Sequence, residues 1–191
     1  MPGWVWALII AGVVIVVALV VWQALKAKRT RTLQGRFGPE YDRTLERADD
    51  RREAEADLAA RAKRRDELDI RPLPSASRER YLEEWQRVQA RFVDDPSGAV
   101  QEADSLIQSV MRERGYPVDD FDQRAADISV DHPQVVENYR NGHRLSSGDT
   151  EEQRQAMVHY RALFEELVED TSDRPLSRDD SPAATDRERV R

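Results

Sequence analysis

Hydrophobic and polar positions divide the chain into stretches of different period. From Trp4 to Trp22, nineteen consecutive residues carry no charge. As a helix rising 1.5 Å per residue this run spans roughly 28 Å, close to the thickness of a bilayer core. A helix satisfies its own backbone hydrogen bonds where lipid cannot, so the run predicts a transmembrane helix over residues 4–22. From residue 77 the pattern turns into helical stripes. Tyr81, Trp85, Val88 and Phe92 are spaced four, three and four apart, and Ser77 is placed to cap that helix. Asp95 and Pro96 open a second helix, with proline at the position where its missing N–H is harmless. Its stripe runs Ala99, Val100, Ala103, Leu106, Ile107, Val110 and Met111, and Gly115 and Pro117 close it.

Asp119 caps a short helix that turns Phe121, Ala125 and Ile128 inward. Asp131-His132-Pro133 repeats the acid-before-proline start for a helix carrying Val136 and Tyr139, which ends near Asn141-Gly142. Thr150-Glu151-Glu152-Gln153 matches a capping box ahead of the face Ala156, Met157, Tyr160, Leu163, Phe164, Leu167 and Val168. Residues 77–168 therefore predict a compact bundle of four or five helices, and no alternating stretch argues for a sheet. The fold class is all-α.

Between anchor and bundle the stripes fade. Nineteen of the thirty residues from Glu40 to Asp69 are charged. Arg, Glu and Ala favour helix, and neither Gly nor Pro interrupts residues 40–71, so residues 37–76 predict a charged helical spacer ended by Arg71-Pro72-Leu73-Pro74. Tyr41, Leu45 and Ala48 begin a coiled-coil seam that fails at Arg52 and Glu55. This leaves a solvated spacer as the better reading and a weak self-association stalk as the other. Residues 169–191 hold no aromatic residue and read as a disordered, solvated tail.

Charge adds orientation. Trp4, Trp6 and Trp22 stand at the ends of the apolar run, where indoles prefer the membrane interface. Lys26, Lys28, Arg29, Arg31 and Arg36 follow with no acid among them. They make residues 23–36 a basic juxtamembrane segment that fixes topology and can touch anionic lipid. The expectation is a single pass through the plasma membrane, with residues 1–3 outside and the domain cytoplasmic. A cleaved signal peptide needs a basic n-region and a small-x-small site. Neither is present, and cleavage to a secreted helical domain is the weaker alternative.

The chain has no cysteine and a formal net charge of -7, which excludes a disulfide scaffold and thiolate metal sites and argues against nucleic acid as a partner. No Gly-rich phosphate loop or His-Glu-x-x-His motif occurs. Asp127, Asp131 and His132 lack the spacing of a calcium loop. Ser146, Ser147 and Asp149 lie between His143 and His159 without a nucleophile elbow. A hydrolase or metal-dependent enzyme using residues 119–159 is thus an alternative reading. No catalytic residue, metal or cofactor is expected. The partners expected are the lipid bilayer and a protein, or a second copy of the chain. Arg112, Arg114, Tyr116, Tyr139 and Arg140 form the candidate protein interface, because tyrosine and arginine are enriched at interfaces. The alternative for the two tyrosines is that they cover the core with wet hydroxyls.

Five stretches, Phe37-Gly-Pro-Glu-Tyr-Asp42, Arg91-Phe-Val-Asp-Asp-Pro96, Arg114-Gly-Tyr-Pro-Val118, Arg124-Ala-Ala-Asp-Ile-Ser-Val-Asp-His-Pro133 and His159-Tyr-Arg-Ala-Leu-Phe164, together give the chain its family likeness. It resembles a family of short, uncharacterised, membrane-anchored helical proteins from actinobacteria, some labelled secreted. The resemblance implies an anchored helical domain and no particular chemistry.

Overall fold

A computed structural model describes residues 3–169, with side chains from Gly12 onward. The described residues form eight helices and no strand: α1 (Gly3–Phe37), α2 (Pro39–Arg47), α3 (Arg51–Asp66), α4 (Ser75–Arg91), α5 (Pro96–Arg114), α6 (Phe121–Asp131), α7 (Val136–Leu145) and α8 (Thr150–Glu169). The expected all-α class holds, and α4 to α8 form the helical bundle. Its core is built from the stripes of α5 and α8, every member of which is buried. Trp85 of α4 stacks on Phe164 of α8 with ring centroids 4.6 Å apart.

Several local signals act as the sequence suggests. The Asp95 side chain accepts from the Gly98 N–H at 2.9 Å, and α5 starts at Pro96. Gly115 takes the left-handed conformation, φ 101°, and lets Asp69 approach so closely that a Cβ would lie 2.3 Å from its carbonyl oxygen.

Other signals shift. α4 starts at Ser75, so Ser77 does not cap it and is buried beside Glu113. Asp120, not Asp119, caps α6. Asp131 ends α6 and opens nothing, because its carboxylate is taken by Arg65 and Tyr116. α7 continues through Asn141-Gly142 to Leu145 because Gly142 packs flat against the buried Tyr160 ring. The capping box moves one residue: Asp149 accepts from the Glu152 N–H at 2.9 Å, and Glu152 reaches back to the Asp149 N–H at 3.1 Å.

The largest departure lies between residues 23 and 76. α1 is one helix through the apolar and basic stretches alike. The single charged spacer helix does not form. Gly38, φ 47°, reverses the chain into α2, and Asp50 caps a new helix, α3. Thr30 meets Glu55 and Arg36 meets Asp66, so α3 runs alongside α1 in the same sense and α2 must run back between them. Leu33, Phe37, Tyr41, Leu58, Ala62 and Val130 close a second, small core. The segment is folded back onto α1 and α6 and is not a solvated spacer helix. The reason is a stripe of two alanines and a leucine, Ala54, Leu58 and Ala62, one turn apart and buried beneath the charges.

Among the described residues no helix is long and apolar enough to cross a membrane. Gly12 to Trp22 supplies eleven uncharged residues, roughly 16 Å of helix and about half a bilayer core. The side chains of Trp4 and Trp6, residues 1–2 and the tail from residue 170 lie outside the described residues.

Gly142→Ala tests the bundle packing. Gly to Ala in a helix interior ordinarily stabilises. Here the new Cβ would lie 2.7 Å from two carbons of the fully buried Tyr160 ring, so the substitution should instead destabilise by about 1–3 kcal/mol, read as a lowered urea midpoint.

Candidate functional site

The site is built where the α1–α3 unit meets the bundle. Glu40, in the first turn of α2, is 4% exposed. Arg140 of α7 donates to both its carboxylate oxygens at 2.7 Å, and Arg61 of α3 donates to one at 3.0 Å. Burial works to raise the Glu40 pKa, but the hydrogen bonds and charges of Arg140 and Arg61 outweigh it, and the carboxyl is held below its ordinary value. Beside it Arg43 pairs with Glu137. Further along, Arg64 donates to the fully buried Asp127 at 3.0 Å, and Arg65 to both oxygens of Asp131 at 2.8 and 2.7 Å. α6 thus offers apolar side chains to the bundle, Val130 to the small core and two acids to α3.

This network absorbs most of the expected interface. Arg114, Tyr116 and Tyr139 are buried, at 1%, 2% and 0% exposure. Arg114 donates to the Leu167 carbonyl at 3.0 Å, tying the end of α5 to the end of α8. The Tyr116 hydroxyl donates to Asp131 at 2.7 Å, and the Tyr139 hydroxyl accepts from Arg124 at 3.1 Å. Burial pushes both phenols up. The tyrosines belong to the core, with bonded hydroxyls and not wet ones. Arg140 is committed to Glu40, and of the five residues Arg112 alone stays exposed. The five make no surface, because Arg and Tyr here solve an interior problem of burying acids and helix ends.

The basic residues after Trp22 fare differently. Lys26, Lys28, Arg29 and Arg31 remain exposed. Arg36 is drawn into a pair with Asp66 at 2.7 Å. Arg51 and Arg52 of α3 come alongside, so the basic collar is larger than the linear sequence indicates. Trp22, Lys26 and Arg29 line an open groove of about 430 Å³ with Arg52, Glu55 and Ala56. Glu55 turns inward: one of its oxygens accepts from Thr30 at 2.8 Å, Tyr41 at 3.0 Å and Arg51 at 3.0 Å. Burial tends to raise its pKa, and these bonds bring it below the ordinary value. The contribution of α3 had one sequence signal, the buried Ala54-Leu58-Ala62 stripe, of which Leu58 and Ala62 share the small core with Leu33 and Phe37 of α1. The Glu40 clamp had none, since Glu40 and Arg140 lie a hundred residues apart.

The histidines and acids of residues 119–159 do not converge. His132 is buried with Nδ1 3.1 Å from Glu166. His143 stacks on Phe121 with centroids 3.8 Å apart, and His159 lies 2.9 Å from the Asn138 side chain. Ser146 donates to the His143 carbonyl, not to an imidazole, and Asp149 is a helix cap. Asp127 and Asp131 are held by guanidinium groups, and no cluster of potential metal ligands occurs among the described residues. Comparison with family models, curated proteins and solved structures finds no match.

Removing the Glu40 carboxylate leaves two guanidinium groups facing each other at a buried contact. Glu40→Ala should destabilise by about 3–5 kcal/mol, measured by urea denaturation at pH 7 against wild type.

The depressed Glu40 pKa gives the same pair of proteins a pH signature. A carboxylate whose folded pKa lies below its unfolded value contributes stability above the unfolded value, near pH 4.3, and loses it as pH falls through the folded one. The stability gap between wild type and Glu40→Ala should hold from pH 7 to about pH 5 and narrow from there down to about pH 3. A gap that widens on acidification contradicts the clamp.

Proposed function

We propose that the chain is a single-pass membrane protein, non-enzymatic, whose helical bundle is held rigidly against the cytoplasmic face of the plasma membrane. There it binds a protein partner or a second copy of itself. The observation that carries this reading is the division of α1. The large apolar side chains from Val13 to Leu25 are each 50–63% exposed, apolar on all sides of the helix, which is the pattern of a segment covered by lipid. Twelve residues further on, Phe37 is fully buried in the small core. One end of the helix lacks protein cover and the other is part of the fold.

The uncharged sequence from Trp4 completes a span of bilayer length. The basic collar after Trp22 gives the orientation by the positive-inside rule. Retention of the anchor is favoured over a secreted domain, because no small-x-small site follows the apolar run and the run is longer than a leader needs. A likeness to the actinobacterial anchored proteins is in keeping with this reading. An enzyme is disfavoured by the separate engagement of each histidine.

The test is made on cells producing the full chain with a C-terminal tag. Intact mass should include residues 1–22, alkaline carbonate should leave the protein in the membrane pellet, and protease added outside intact cells should spare the bundle. Cross-linking in those membranes should give a discrete larger species that is lost when residues 77–168 are deleted. Release by carbonate, or digestion of the bundle from outside, would contradict the anchor and its orientation. A cross-linking pattern identical with and without the bundle would contradict the interaction role.

A further inference from the structure

The return of α3 to the level of Trp22 creates a site that the linear sequence does not contain. Because α3 runs alongside α1, its first turn stands beside residues 22–29, where the apolar surface of α1 gives way to charge. If α1 is anchored as proposed above, this is the height of the phospholipid headgroups. The groove there is two-sided in chemistry. Lys26, Arg29 and Arg52 bring three cations, and none forms an ion pair among the described residues. Lys26 lies over the Trp22 ring, 5.7 Å from its centroid. Trp22, Leu25 and Ala56 make the rest of the wall apolar. The one lining carboxylate, Glu55, has an oxygen committed to Thr30, Tyr41 and Arg51. Two other acids of α3, Glu53 and Asp57, line a different groove, on the side of α2.

We infer that the groove between α1 and the first turn of α3 holds the headgroup of an anionic phospholipid. Its phosphate lies among Lys26, Arg29 and Arg52, and its glycerol and upper acyl carbons lie along Trp22, Leu25 and Ala56. Charge complementarity selects an anion, and the apolar half of the wall, continuous with the exposed surface of α1, selects one that carries an acyl chain over a free phosphate. A volume of about 430 Å³ admits a headgroup. This inference rests on the anchored reading of α1 and adds a lipid class and a residue outside the basic segment, Arg52.

The full chain in mixed micelles of phosphatidylglycerol and phosphatidylcholine, released for native mass spectrometry, tests it. Wild type should retain phosphatidylglycerol in preference to phosphatidylcholine. Arg52→Gln, at an exposed position, should lower that preference about five-fold, as expected for one cation near an anionic surface, and Lys26→Gln with Arg29→Gln and Arg52→Gln should abolish it. Arg144→Gln, a cation on α7, should leave it unchanged. Equal retention of the two lipids by wild type, an Arg52→Gln protein indistinguishable from wild type, or displacement of the lipid by equimolar glycerol phosphate would overturn the inference. Carbonate extraction separates the two readings. A chain that stays in the membrane without lipid preference keeps its anchor and loses the headgroup site, and a chain released by carbonate loses both.

Discussion

A carboxylate with almost no access to water, held by guanidinium groups from two other helices, fixes how the two parts of this protein meet. Glu40 stands at the start of α2, just past the turn at Gly38, and its partners Arg140 and Arg61 belong to the bundle and to α3. The apolar contact around it is small, six buried side chains against the much larger set in the bundle. Exposed ion pairs contribute about 0–1 kcal/mol each and would not hold such a contact rigid. A buried acid is different, because leaving it without partners is far more costly than the pair is favourable. The clamp therefore acts mainly against alternative arrangements: any displacement of α2 from α7 strands a charge.

α6 extends the same logic. It has an apolar side toward the bundle and acids toward Arg64 and Arg65, so the long helix α1 reaches the bundle through a continuous set of packed and ion-paired groups. A domain joined in this way is held by α1 as by a post, not on a tether. The rotation of the bundle about α1 is then fixed. The return of α3 brings Arg52 beside Lys26 and Arg29, at the level where the apolar sequence ends.

The bundle was legible in the sequence because its helices are striped with period 3.6. The stripes of α5 and α8 needed only counting, and Asp95 and Pro96 act through contacts within a few residues of themselves. Reading failed where the partner was distant. Asp131 looks like a helix start and is the acceptor for Arg65 and Tyr116. Arg114, Tyr116 and Tyr139 have the composition of a surface patch and lie in the interior. The stretch from Glu40 to Asp69 hides its fold because its charges outnumber its apolar residues, and alanine at position 62 carries little weight in a hydrophobic pattern although it lies in the small core with Leu33 and Phe37 of α1. Of the candidate site, the cations on α1 were visible and Arg52 was not, since nothing in the sequence tells that α3 returns to the level of Trp22.

Native-state hydrogen exchange of the full chain in detergent micelles measures most directly whether α1, the α2–α3 hairpin and the bundle are one body. The amides of Ala54, Leu58 and Ala62 in α3, and of Leu33 and Phe37 in α1, should exchange with protection close to that of α5 and α8, in the same cooperative opening. Exchange of α3 orders of magnitude faster than the bundle, at the rate of an isolated charged helix, would contradict a rigid union and return residues 37–76 to the role of a loose spacer.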